Sequence, residues 1–225
     1  MLTLKCAGIV FDLDGVLVDS STIVERHWRR WAALHSIDLD AILSISTGKR
    51  NLEVMREVAP HLDVEREAAA MDAEEALDLD GLKRYPGSLE LISSLPPNRW
   101  AIATSGARDT AAARLTAVGL PIPDVLVTAD DVENGKPHPE PYTRAAILMG
   151  IPAIDCVAIE DAPSGIASAT TAGMTAIGIT SSVQASALNE AHAIITSLHD
   201  VEVSSTANAS NTPLDEHALA ISLTP

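Results

Sequence analysis

The sequence predicts an α/β fold in which a parallel-sheet core is interrupted by a helical insertion, and three observations predict it. From residue 85 onward, short apolar runs alternate with helical stretches. One further run, Ala7-Gly8-Ile9-Val10-Phe11, stands alone near the start, and helical residues 19–82 separate it from the rest. Strands alternating with helices favour a parallel sheet covered on both faces. Residues 1–18 and 83–225 therefore form the expected core, with 19–82 inserted after its first strand.

The first strand is short, partly β-branched and followed by a turn signal at Gly15. Ile23, His27, Trp28 and Trp31 then recur at helical spacing, with Asp19 and Ser20 available as a cap. Residues 38–46 are mixed. Thr47-Gly48-Lys49-Arg50-Asn51 reads as a loop, with Asn51 capping a helix over 52–59 that Pro60 stops. Residues 64–79 read as a solvated helix carrying Glu65, Glu67, Asp72, Glu74 and Glu75, closed by Gly81. After Tyr85-Pro86-Gly87 come helices over 88–95, 109–118, 141–149 and 164–172. Strands over 100–103, 125–127, 157–159 and 175–177 alternate with them, which gives a Rossmann-like core. The tail, with linker composition over 204–211, reads as a short hairpin of Val201-Glu202-Val203 with 218–221.

Of the 225 residues, 47% are hydrophobic but only 3% aromatic, so Ala, Val, Ile and Leu must build the core. No apolar run approaches the roughly 20 residues of a membrane span. The first five residues carry no basic stretch ahead of an apolar one, so the expected location is cytoplasmic. Cys6 and Cys156 lack metal-site or disulfide spacing and read as buried structural thiols. A formal net charge of −16 argues against nucleic acid as a partner, since that binding needs Lys and Arg on phosphates. The expected partner is a small molecule, and the expected assembly a monomer.

Polar groups gather at the predicted carboxyl ends of the core strands, where ligands of open α/β sheets sit. Asp12 and Asp14 follow the first strand, Thr104-Ser105-Gly106 the next, Lys136 lies after the third, and Glu160-Asp161 follow the fourth. Singly, each has an ordinary structural explanation. Together, converging carboxylates repel one another unless a cation neutralises them, and oxygen donors without Cys or His suit Mg²⁺. A Thr hydroxyl, the N–H groups of a helix start and a Lys ammonium form an anion site opposite. That combination describes phosphoryl transfer, with one carboxylate as nucleophile and another as acid and base. Spacing alone does not say which Asp attacks.

Asp12-Leu13-Asp14-Gly15-Val16, Thr104-Ser105-Gly106, Gly135-Lys136-Pro137 and Glu160-Asp161-Ala162-Pro163-Ser164-Gly165 together resemble the four motifs of the haloacid dehalogenase superfamily. Around them, the chain resembles the glycerol-phosphate and 2-deoxyglucose-6-phosphate phosphatases, with β-phosphoglucomutases as near relatives. The resemblance implies Asp12 as nucleophile and Asp14 as general acid/base. It implies Thr104, with Ser105, and Lys136 on the phosphate, and Mg²⁺ on Asp12, the Asp14 backbone carbonyl and Asp161. Glu160 is then an additional or outer metal acid. The insertion corresponds to a mobile cap whose loop, with Lys49 and Arg50, reaches the substrate. Related phosphatases often carry His where this chain has Thr47.

Apart from that pattern, Lys49 and Arg50 would simply solvate a loop, and His27, His35, His138, Trp28 and Trp31 read as packing or surface residues. The expected function is Mg²⁺-dependent hydrolysis of small sugar or polyol phosphates through an aspartyl-phosphate. A sugar-phosphate mutase and, remotely, a phospho-aspartate signalling module are the alternatives.

Overall fold

A computed structural model describes residues 2–205 and 219–223. The chain opens with two strands, β1 (Leu2–Cys6) and β2 (Gly8–Phe11), that belong to different sheets. The switch occurs at Ala7, whose N–H is taken by the Asp155 carbonyl at 2.7 Å. A two-residue strand, β3 (Val18–Asp19), then pairs antiparallel with β4 (Lys83–Arg84). Between these two strands lie α1 (Ser21–His35), α2 (Leu39–Ser46), α3 (Asn51–Val58) and α4 (Val64–Glu75). They bury their own apolar cluster, including Trp28, Trp31, Ile42, Met55 and Met71, so the aromatic stripe read in α1 is core.

The remaining chain supplies α5 (Ser88–Ser94), β5 (Trp100–Ala103), α6 (Arg108–Ala117), β6 (Leu126–Val127) and α7 (Glu140–Met149). It continues through β7 (Cys156–Glu160), α8 (Pro163–Thr171), β8 (Thr175–Ile179) and β9 (Ala193–Ile195). Six strands form one parallel sheet in the order β6-β5-β2-β7-β8-β9. Alternate residues point to opposite faces. Ile9, Phe11, Ile102, Ile159 and Ile177 build one face, while Val10, Ala101, Ala103, Ala158 and Ala176 build the other. Small side chains on the second face let α7 and α8 pack close, with Tyr142 filling the space. Cys6 and Cys156 are buried free thiols, as expected, and burial pushes each up to about 12.

Several local expectations change. Residues 38–46 contain a full helix, started by Asp38, whose carboxylate accepts the Asp40 N–H at 3.0 Å. Asn51 does not cap α3; Arg50 occupies that position, and the Asn51 amide reaches across to α4. The helix expected over 64–79 stops at Glu75, leaving Leu77 in solvent. Glu75 itself is buried rather than solvated. The expected hairpin is present as β10 (Val201–Ser205) against β11 (Leu219–Leu223), and β1 extends it on the other side of β11. Linker residues 206–211 and Ala218 fall outside the described residues. No helix among the described residues is long and apolar enough to cross a membrane.

Candidate active site

The central strand β2 ends at Phe11, and the next residue, Asp12, is held at the carboxyl edge of the sheet by its N–H bond to the Ile159 carbonyl of β7, 3.0 Å. Its Oδ1 accepts from the Leu13 N–H at 2.7 Å and lies 3.0 Å from Lys136 Nζ. Lys136, only 1% exposed, donates to Glu160 Oε1 at 2.6 Å and sits over the Tyr142 ring, 5.3 Å from its centroid. Burial alone would lower the lysine, but the Asp12 and Glu160 charges outweigh it and raise it above its ordinary value. The ammonium is therefore a fixed positive charge.

Glu160, at the end of β7, is fully buried and fully engaged. Its Oε1 also accepts the Tyr142 hydroxyl at 2.7 Å, and its Oε2 accepts the N–H groups of Asp161 and Ala162 at 3.0 and 3.2 Å. It belongs to a carboxylate group with Asp12 and Asp161 whose ligand atoms lie within 4.8 Å of one another. Both of its oxygens are engaged, and through Oε1 it anchors Lys136. Asp161 differs, because its Oδ1 is buried with no hydrogen-bond partner. Burial, then the Glu160 and Asp12 charges, push Asp161 well above the usual carboxylate range; burial first, and Glu160 and Asp14 after it, push Asp12 up to about 7. A cation between Asp12 and Asp161 would remove both penalties and supply the missing partner. Hard oxygen donors of this kind suit a divalent metal such as Mg²⁺.

Gly15 makes room for this pair. Its φ is +81°, and a Cβ there would overlap Asp161 Oδ2. Asp14 Oδ1 accepts the Ser20 hydroxyl at 2.6 Å and Arg114 Nη1 at 2.7 Å. Sequence reading missed Arg114, a buried residue of α6, and placed its second partner Glu75 in solvent; the two are 2.9 Å apart.

Above these groups lies a cavity of about 480 Å³, lined by Asp12, Asp14, Thr104, Ser105 and Asp161 from the core and by Trp28, Thr47, Lys49 and Asn51 from the insertion. Thr104 Oγ1 accepts the Gly106 N–H at 3.1 Å, which shapes the loop after β5. The Ser105 and Ser164 hydroxyls donate to the carbonyls of Gly48 and Thr47, so the insertion's loop sits directly on the core. Lys136 and Glu160 lie beneath the cavity floor rather than on it.

Lys49 lines the cavity, paired with Glu57 at 3.1 Å. Arg50 does not line it, in contrast to the substrate contact expected of it. Its guanidinium pairs with Glu53 at 2.6 Å and donates to the carbonyls of Val132 and Glu133, while Glu53 accepts the Gly135 N–H. Arg50 thus clasps the loop that leads into Lys136.

The model of the haloacid dehalogenase-like hydrolase family matches residues 6–173. Hexitol phosphatase A of Escherichia coli strain K12 is 36% identical over 210 residues, covering 91% of this chain and 97% of that protein. Glycerol-1-phosphate phosphohydrolase 2 of Saccharomyces cerevisiae is 32% identical over 84% of this chain and 80% of that protein. A hydrolase structure from Pseudomonas syringae superposes with a TM-score of 0.76 at 27% identity, covering 87% of this chain and 95% of that one. With this match spanning most of the chain and the motif residues gathered at one sheet edge, the protein belongs to the haloacid dehalogenase-like hydrolases.

Proposed function

We propose that the protein is a divalent-metal-dependent phosphatase of small sugar or polyol monophosphates, acting through an aspartyl-phosphate on Asp12. The observation that carries this reading is the pairing of Asp12 with a buried, partnerless Asp161 oxygen on one side and with the Lys136 ammonium on the other. The related hexitol and glycerol-1-phosphate phosphatases support the substrate class.

Asp12, Asp161 and the Asp14 backbone carbonyl would hold Mg²⁺, which when bound offsets the negative charge of Asp12 and of the phosphoryl oxygens. Thr104 and the loop after it orient the phosphate, while Lys136, beneath the floor against Asp12, opposes its charge. An Asp12 oxygen attacks phosphorus, the ester P–O bond breaks, and the leaving alkoxide takes a proton from Asp14. Water then attacks the phosphoryl group, Asp14 takes back a proton, and the bond to Asp12 breaks to release phosphate. The insertion, resting on Ser105 and Ser164, excludes bulk water during the first step.

Charge around the cavity narrows the substrate. Asp19, Glu25 and Glu75 add to the three carboxylates of the site, while the two lining cations, Lys49 and Arg114, are each paired with a carboxylate. A second anionic group on the substrate would meet uncompensated negative charge. Phosphate release is therefore expected from neutral polyol and sugar monophosphates, with kcat/KM for bisphosphates and phosphoglycolate lower by about 10-fold or more. A panel of such esters, assayed with Mg²⁺ and with chelator, tests the proposal. Activity that survives chelation, or an isomerised sugar phosphate formed without free phosphate, would sink it.

A further inference from the structure

Arg114 is only 2% exposed, yet it lies between two carboxylates from different parts of the chain. Nη1 donates to Asp14 of the core and Nη2 to Glu75, the last residue of α4 in the insertion. Its Nε is buried without a partner. The two ends of the guanidinium thus reach both acids.

The consequences differ for the two oxygens of Asp14. Oδ1 is taken by Arg114 and by Ser20. Oδ2 faces the loop after β5, 3.9 Å from the point where a Cβ on Gly106 would stand, which is itself 3.5 Å from Thr104 Oγ1. The far end of the bridge continues into the insertion. Glu75 Oε1 accepts from Asn51 Nδ2 at 3.3 Å, and Asn51 lines the cavity beside Lys49. Alongside, Thr110 Oγ1 of α6 donates to the Asp72 carbonyl of α4 at 3.1 Å, so the two helices meet at this place.

We infer that Arg114 is a positioning residue that makes Asp14 dependent on the seated insertion: with Glu75 in place, Arg114 holds Asp14 Oδ1 and turns Oδ2 toward the bound phosphate ester. The inference rests on Asp14 being the proton-transferring group of the proposed function. It names Oδ2 as the oxygen that gives the leaving group its proton, and it makes Glu75 the contact through which closure is sensed.

The test compares two esters in single-turnover release of the leaving group. Glycerol 1-phosphate leaves as an alkoxide that needs the proton, whereas p-nitrophenyl phosphate leaves as a stable phenolate that does not. For Arg114→Gln and Glu75→Gln, release from the alkyl ester is expected to fall about 10- to 100-fold. Release from the aryl ester should change by less than about 3-fold, and KM for each ester, taken from a separate steady-state assay, should change as little. Should Arg114→Gln fail to fold, the near-isosteric Glu75→Gln carries the comparison. Equal losses on both esters would reduce Arg114 to a structural brace, and unchanged alkyl release in either folded variant would also overturn the inference. Asp14→Asn separates the two levels. If it discriminates between the esters while the other two variants do not, only the Arg114 inference fails. If Asp14→Asn itself shows no discrimination, the reading of Asp14 fails and this inference with it.

Discussion

Asp12→Asn is expected to lower kcat by about 10⁴-fold or more while leaving the protein folded, because the amide keeps the shape of the side chain but loses its nucleophilic oxygen. The amide carbonyl can still accept from Leu13 N–H and Lys136, so the floor of the site retains its bonds. Metal affinity should fall as well, since one of the two side-chain donors becomes neutral. Asp14→Asn should behave differently. Turnover collapses, yet Mg²⁺ binding stays largely intact, because only the Asp14 backbone carbonyl is proposed as a ligand. Calorimetric titration of the two variants with Mg²⁺, alongside phosphate release, makes the comparison. Equal loss of metal affinity in both would show that the division of roles between the two aspartates is wrong.

Gly165→Ala tests the site from beneath and needs no assumption about the reaction. A Cβ at residue 165 would overlap the Glu160 carboxylate, which is 0% exposed and holds Lys136, Tyr142 and two backbone N–H groups. The carboxylate has no solvent to move into, so the methyl group must break its pairing with Lys136. Separating a buried ion pair costs about 3–5 kcal/mol, which for a chain of this size lowers Tm by about 10 °C. Thermal unfolding of the variant measures it, and a Tm within about 2 °C of the parent would show that the carboxylate has room the structure does not reveal. Activity should fall in parallel, since Lys136 loses its anchor.

The sheet and its acids were legible because parallel strands announce themselves as short apolar runs and the motif residues stand where those runs stop. Asp12, Asp161 and Lys136 could be placed without knowing any long-range contact. Arg114 could not. It lies in the last turn of α6, with partners 100 and 39 residues away, and nothing in local spacing marks a buried arginine. Glu75 was hidden for a related reason. It ends a run of acids whose Glu65 and Glu74 stay exposed, while Arg114 of α6 and Asn51 close over it. Arg50 misled because a basic residue in a loop suits a substrate phosphate and a backbone carbonyl equally well; the choice depends on where the 132–135 loop lies. The two-residue strands β3 and β4 are too short to show any alternation.

That small ladder has a wider implication. Because Val18↔Arg84 and Asp19↔Lys83 pair side by side, the chain leaves the core and re-enters it at one point. The helices between are joined there like a blade to a handle, so a foreign insertion grafted at this junction would not need the sheet to be re-threaded. Among the contacts such a graft must replace, one is buried and charged. Arg114 stays with the handle, so a donor lacking a carboxylate in the place of Glu75 would strand half of a buried guanidinium. Selectivity can be exchanged at this joint only together with the residue that tells the core the blade is in place.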